Sequence, residues 1–434
     1  MNILIVETVW MGGARYRFLD KMLLTAFSIL PTLQARELAA ITPKQHTISV
    51  VNERYSQIDY DTAYDAVLIN FVTSTAPRAY AIADRFRKKG VPVILCGFHA
   101  SGLPVEAKQH ADSVLIGRNE YGWLSVLQDI HQKKLQPFYQ APPYDRTMQL
   151  PPTHVQLPGF VMTGAVEATR GCPYHCEFCP ETNIPGGSYL FKRPVDEVID
   201  EIKKIPQKNL MFYDTSLTID PSYTKELFKK MKGLHKKFFC NGNVDVLAHD
   251  PELVCLSKEA GCVAWLVGFE SICQNTLQAI GKTTNAVDEY ALAVQNIHTN
   301  HMAVIGEFIF GFDTDTPEVF KKTLTMIKDL DIDVVDFSIL TPFPGTPLFN
   351  RLDSQGRILT KDWKFYNMGH AVFTPSHMTP KELEEGVRSI FNEFYEMSFT
   401  IKRIIRGLRW GMYTFLVIFA RNLVAMMSRG RLSK

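Results

Sequence analysis

The sequence predicts an α/β protein made of two successive parallel β/α arrays and a helical C-terminal region. Three observations carry this. Short continuous apolar runs alternate with helical patterns over the first 130 or so residues, a proline-rich stretch interrupts them, and the alternation then restarts for six more units. Continuous apolar runs are the mark of strands buried on both faces, as in parallel sheets. With 434 residues, two or three domains are expected. A hydrophobic fraction of 46% and a charged fraction of 21% fit a folded globular chain. A net charge of +2 gives no polyanion signal, so composition offers no support for nucleic-acid binding.

The first domain is expected over residues 1–135. Its strands are read at Asn2–Val6, His46–Val51, Asp65–Val72, Val91–Gly97 and Ser113–Gly117, with helical patterns such as "PTLQARELAAI" and "PRAYAIADRFRKKG" between them. Five such units point to a doubly wound, flavodoxin-like (Rossmann-type) sheet. Trp10–Leu33, a long segment with Gly12, Gly13, Tyr16, Phe18 and Phe27, leaves the carboxyl end of the first strand, where open α/β sheets bind ligands. Residues 136–159 repeat proline without periodicity and read as an extended linker.

Residues 160–375 hold the second array. Strands are expected in "VMTGAVEATRG", "NLMFYD", "KFFCNGNVD", "CVAWLVGFES", "AVIGEFIFGF" and "VVDFSILTPF". Helices are expected at Val195–Ile205, Tyr223–Leu234, Pro251–Ala260, Val287–His301 and Pro317–Leu330. Six parallel units describe a partial (β/α)6, TIM-like barrel with functional groups at the strands' carboxyl ends. Residues 376–434 form the helical C-terminal region, opening with a capping box at Thr379 and Glu382.

The N-terminus, "MNILIVETVW", has no basic n-region and only a short apolar run, so it does not read as a signal peptide. Clustered cysteines in such a chain read as metal-binding or catalytic, and a reducing cytoplasm is the expected compartment. "TRGCPYHCEFCPE" places Cys172, Cys176 and Cys179 on the loop after the first barrel strand. Zinc would need a fourth ligand; His175, between two of the cysteines, could serve, in a cramped geometry. An iron–sulfur cubane normally takes four thiolates, so three leave one iron open to an exogenous ligand. Cys240, Cys255, Cys262 and Cys273 are read as buried small hydrophobes.

The triplet, with Phe178 before its last cysteine, resembles the signature of the radical S-adenosylmethionine (SAM) superfamily. The resemblance implies a 4Fe-4S cluster whose open iron chelates SAM, and a one-electron cleavage that yields a 5′-deoxyadenosyl radical. It implies further that Asp214 in "FYDTSLT" meets the SAM amino group, that Asn243 in "CNGNVD" contacts its ribose or carboxylate, and that Glu270 in "VGFES", accompanied by Lys282, binds ribose. "EFIFGF", with Gly311, resembles the segment that holds adenine, and "LTPFPGTPLF" the sixth-strand signature with its turn at Pro344–Gly345.

A flavodoxin-like domain before such a barrel is similar to the cobalamin-binding subfamily, over most of residues 1–375. The resemblance places Ser74 and Thr75, Gly97 and His99, and Gly117 and Glu120 on the edge that would take cobalamin's nucleotide tail. No Asp-x-His-x-x-Gly motif follows the first strand, so no histidine is offered as lower cobalt ligand, and Phe98 stands where relatives commonly carry glycine. The alternative is a docking domain without cofactor; His99 by itself reads as a hydrogen-bonded surface residue.

From Ile401 to Lys434 there are eight Lys/Arg and no acid. Ile401, Ile404, Ile405, Leu408, Met412, Phe415, Leu416 and Phe419 recur at helical spacing, with Lys402, Arg406 and Arg409 on another face. This suggests peripheral association with the inner face of a membrane, or else a helix closing the barrel. The expected activity is cobalamin-dependent methylation of an unactivated carbon on a small, hydrophobic or lipid-like molecule, with a flavodoxin- or ferredoxin-type electron donor. Rival readings are a radical cyclase or rearrangement enzyme, and a non-catalytic cluster-bearing sensor. No catalytic side chain is assigned.

Overall fold

The computed structural model describes residues 1–8, 33–53, 56–140 and 163–428. The Trp10–Leu33 segment therefore lies outside the described residues except for Leu33, as do most of the linker and the last six residues.

Strands β1 (Asn2–Glu7), β2 (Thr47–Asn52), β3 (Ala66–Asn70), β4 (Val93–Cys96), β5 (Ser113–Ile116) and β6 (Phe138–Gln140) form one sheet in the order β2-β1-β3-β4-β5-β6. All neighbours are parallel. The order of the first five is the doubly wound one. Alternation along β1 explains its unbroken apolar run: Ile3 and Ile5 pack under helices Gln34–Ile41 and Asn119–Gln132, while Leu4 and Val6 pack under Ala76–Lys88. Strand β6 falls inside the segment expected to be linker, because Phe138–Gln140 pair with Val114–Ile116 at the sheet edge.

The second sheet contains β7 (Thr163–Val166), β10 (Asn209–Phe212), β11 (Lys237–Gly242), β12 (Cys262–Glu270), β13 (Ala303–Phe310) and β14 (Val334–Ile339). They run parallel in the order β14-β13-β12-β11-β10-β7, an open arc of six strands. Between β7 and β10, the short strands β8 (Thr169–Arg170) and β9 (Phe191–Lys192) pair antiparallel. The expected first barrel strand is thus broken at Glu167–Ala168. Helices coat the convex face through residues such as Val198, Ile202, Leu227, Phe228, Val294 and Ile327. Asp220 and Asp250 cap two of them, accepting from the Tyr223 and Leu253 amides at 3.0 Å each. The Thr379–Glu382 capping box forms as expected.

Helix Pro380–Phe394 packs beside β14, and the Tyr395 hydroxyl completes that edge by donating to Val335 O (2.7 Å) and accepting from Val335 N (3.1 Å). The tail is two helices, Met397–Arg409 and Met412–Ser428, not one stripe, because the chain turns at Gly411 (φ 101°). Ile418, with partly buried Ile404, Trp410 and Val417, fills the concave face of the barrel against Met211, Phe239, Ala264, Ala303, Ile305 and Val334. Arg406, expected on the basic face of the tail, pairs instead with fully buried Asp333 at 2.6 Å. Arg403 is buried and donates to Asn422 Oδ1 at 3.0 Å, and Arg421 pairs with Asp336. Ile401, Ile405, Leu408, Met412 and Leu416 remain exposed. No helix among the described residues is long and apolar enough to cross a membrane.

The two β/α units share a core. Phe349, Trp363, Tyr366 and Val372 of the second pack with Phe71, Tyr80 and Ala100 of the first. Gly102 meets the Pro344–Gly345 turn so closely that a Cβ on it would lie 2.3 Å from Pro344 O.

Candidate active site

The three cysteines lie on a loop that starts at Gly171, directly after β8. Gly171 has φ 79°, and a Cβ there would sit 1.9 Å from Tyr189 O, so the turn admits only glycine. The loop is held by its own neighbours. Cys172 N donates to Gly187 O (2.9 Å) and Cys179 N to Cys176 O (3.2 Å). The Thr182 hydroxyl donates to Cys172 O and Tyr174 O (2.9 and 2.8 Å), and the Asn183 amide to Cys176 O and Cys179 O (3.2 and 2.7 Å). Thr182 and Asn183 were not singled out in the sequence; their place directly after the triplet was the available signal. From the far side, Glu177 N donates to Ile280 O at 3.0 Å and Leu348 N to Glu177 O at 3.1 Å. Beside the loop, a cavity of about 290 Å³ is lined by Glu177, Ile280, Asp313, Leu348 and Arg351, among others.

Burial pushes all three thiols up, Cys176 and Cys179 to about 11. The negative charge of one another's thiolates adds to this, and the Lys282 ammonium opposes it at Cys172 and Cys176. Among the described residues no three His, Cys, Asp or Glu side chains converge on a single ion. A cubane distributes its thiolates over separate irons, so three thiols on one pinned loop suit its donor set. Binding would deprotonate them.

The other barrel residues come to the same rim with different roles. Glu270 ends β12 in a left-handed conformation (φ 61°), is 6% exposed, and accepts from Lys282 Nζ at 2.8 Å. A Cβ at Gly268 would lie 2.5 Å from the Glu270 carboxylate, so glycine gives this pair its room. Asn243 stands after β11 with its Nδ2 buried and its side chain beside the Tyr174 hydroxyl. Asp214 is fully buried and turned toward the first strand: it accepts from the Ala168 and Thr169 amides and from the Thr169 hydroxyl (2.7 Å). Burial pushes its carboxyl up to about 6. Its oxygens hold the β7–β8 break, so it positions the cysteine loop. Gly311 follows β13 (φ 105°) and its amide donates to Asp315 at 2.9 Å.

In the first domain, Thr73–Thr75, Gly97 and Gly117 follow β3, β4 and β5, adjacent strands of one sheet, so these turns line one edge. Ser74 is half-buried there, and the Thr75 hydroxyl accepts from Thr8 Oγ1 at 2.8 Å. His99 departs from expectation. It is fully buried, ringed by Phe71, Tyr80 and Trp363, with Nε2 at 3.3 Å from Glu106. It is neither a surface residue nor open to the edge, because the second domain covers it. Glu120 is likewise buried, accepting from Arg170 Nη1 at 2.7 Å. Asn119, overlooked in the sequence between Gly117 and Glu120, is fully buried with both side-chain polar atoms unpaired among the described residues. Those orphaned atoms fit a polar ligand group directly.

Arg170 joins the halves. It pairs with Glu37 and Glu120 of the first domain and Glu167 of the second, and Arg118 pairs with Glu181 beside the cysteine loop. Burial lowers the Arg170 guanidinium to about 9 and raises Glu120 and Glu167. Of the remaining cysteines, Cys240 and Cys262 are buried as expected, but Cys255 is exposed and Cys273 half-buried.

A partial barrel whose first loop carries three clustered thiols, behind a doubly wound domain, defines the radical SAM class. The radical SAM superfamily domain matches residues 166–339. Two Chlorobaculum tepidum proteins are similar over nearly the whole chain. Bacteriochlorophyllide d C-12(1)-methyltransferase is 31% identical over 85% of this chain and 83% of its own. Bacteriochlorophyllide d C-8(2)-methyltransferase is 30% identical over 82% and 84%. The solved structure of TsrM from Kitasatospora setae, a radical SAM methyltransferase with cobalamin and a [4Fe-4S] cluster bound, superposes with TM-score 0.70 at 13% identity, covering 100% of both chains. This chain belongs to the radical SAM superfamily, in the family of these two methyltransferases.

Proposed function

We propose that this protein methylates an unactivated carbon of a hydrophobic polycyclic substrate of the tetrapyrrole kind. The observation that carries the reading is the pinned three-thiol loop facing the Glu270–Lys282 pair on one rim. When bound, the cluster and SAM supply a carbon-centred radical, and the corrinoid supplies the methyl group. The chain's own residues do the rest. Cys172, Cys176 and Cys179 would hold the cluster's iron through three thiolates. Glu270, paired with Lys282, receives ribose hydroxyls, and Asn243 donates its amide to SAM. The EFIFGF segment, with Gly311 as its fifth residue, supports adenine. Asp214 keeps the loop in register. Ser74, Thr75, Gly97, Gly117 and Asn119 offer the corrinoid edge, while Glu120 and His99 brace it from within. The helix Met412–Ser428 plugs the concave face and excludes water from below.

The names of the two Chlorobaculum relatives support a tetrapyrrole over other apolar substrates. The exposed Ile401, Ile405, Leu408 and Met412, beside exposed Lys402 and Arg409, support contact with an anionic membrane surface from which such a substrate would be drawn. A low-potential reductant of the flavodoxin or ferredoxin type completes the system. The test is anaerobic reconstitution with iron, sulfide and cobalamin, then incubation with bacteriochlorophyllide d and methyl-deuterated SAM. A product carrying deuterated methyl supports the reading. Release of 5′-deoxyadenosine with an unlabelled, oxidised or cyclised product contradicts it.

A further inference from the structure

Strand β13 carries one carboxylate that the fold leaves open. Ala303 and Ile305 turn to the concave face and pack with Met211, Phe239, Val334 and Ile418. Alternation puts Glu307 on that same face, one step nearer the rim. Its partners in register are Gly268 on β12 and Asp336 on β14. One neighbour therefore has no side chain, and the other is already paired with Arg421 of the last helix. Glu307 is exposed, although Ala303–Gly306 and Phe308 around it are buried. Its carboxylate has no hydrogen bond or ion pair among the described residues. Burial, with the charges of Glu270 and Asp336, nevertheless pushes it up to about 7, against Lys282 and Arg421. By accessible surface the side chain is open, and its place on the inner face of the arc, beyond Ala303 and Ile305, turns it toward the space above the apolar floor.

The inner face is thus layered. An apolar floor lies below, built partly from the last helix, and the Glu270–Lys282 pair lies above, near the cysteine loop. Glu307 stands between them.

We propose that Glu307 is the substrate-anchoring carboxylate of the barrel's inner face. It receives an N–H, O–H or ammonium group on an otherwise apolar polycycle, whose body rests on the floor formed with Ile418. The proposal rests on the methyltransferase reading for the identity of the reaction, but the binding chemistry is tested separately. The probes are aminomethylpyrene, an apolar tetracycle with one ammonium, and methylpyrene, its neutral counterpart, titrated by fluorescence into the full chain. At pH 8 the wild type is expected to bind the amine about tenfold more tightly, the scale of one charge-assisted hydrogen bond. The preference should shrink at pH 5.5, as the carboxylate protonates. It should vanish at both pH values in Glu307→Gln and Glu307→Ala, whose folding is checked by circular dichroism. Equal binding of the two probes by the wild type, no binding of either, or a preference that survives in a folded variant overturns the proposal. Methyl transfer to bacteriochlorophyllide d with no probe preference overturns this proposal alone; a clear Glu307-dependent preference without methyl transfer overturns only the reaction.

Discussion

Replacing Arg170 by methionine removes the cation on which the two domains converge. Its side chain is 4% exposed, and those of Glu37, Glu120 and Glu167 are 5%, 4% and 11% exposed. Breaking one buried pair by deleting one partner costs about 3–5 kcal/mol, because the other charge stays buried and unpaired. Three carboxylates are stranded here, yet the cost does not triple, since Glu120 and Glu167 are already raised by burial and will take up protons. With an unfolding entropy of about 2.1 cal/mol/K per residue, 3–5 kcal/mol corresponds to a fall in Tm of about 3–6 °C for a chain of 434 residues. The fall should be larger at pH 8 than at pH 5.5, because protonation relieves the stranded charges. Adding Glu120→Gln should recover part of it. Differential scanning calorimetry at both pH values measures this, with iron content as a second readout, since Arg170 lies on the strand that leads into Cys172. A shift under 1 °C, or equal shifts at both pH values, would refute the reasoning that Arg170 is a buried interdomain keystone.

Other consequences follow from the same geometry. Glu307 has a folded value raised from 4.5 to about 7, so the folded state holds its proton more tightly and stability from this group is lost as pH rises between those values. Glu307→Gln should therefore raise Tm at pH 8 relative to wild type and have little effect at pH 4.5, by thermal melts. Gly102→Ala forces a methyl against Pro344 O at 2.3 Å, and should cost about 1–3 kcal/mol of overpacking in chemical denaturation. Lys282→Ala leaves Glu270 without its cation; SAM affinity, by equilibrium dialysis, should fall at least tenfold while iron content holds. Paired Ile405→Asp and Leu408→Asp changes should abolish sedimentation with anionic vesicles and leave Tm within about 1 °C, as is usual for exposed positions.

Much of this architecture was written in local pattern. Strands such as Ile3–Val6 and Val93–Cys96 are buried on both faces, so their runs are apolar without interruption, and Gly171 marks the turn that delivers the triplet. What escaped depends on distant pairings. Arg170 meets Glu37 and Glu120 only because two strand rims face each other, and nothing local distinguishes them from solvated charges. His99 looked superficial since the Trp363 ring that covers it belongs to the other domain. The tail read as one basic amphipathic helix because helical spacing is blind to the turn at Gly411 and to Asp333 and Asp336, which draw Arg406 and Arg421 inward. Glu307 went unremarked within a segment read for its backbone.

The most direct test of the central claim is the electron paramagnetic resonance spectrum of dithionite-reduced, oxygen-protected protein before and after SAM, with iron and sulfide measured on the same sample. A cubane of about four irons whose signal shifts when SAM is added, and is lost with Cys176→Ala, is the predicted result. Bound zinc, or a cluster whose signal SAM leaves unchanged, would contradict it.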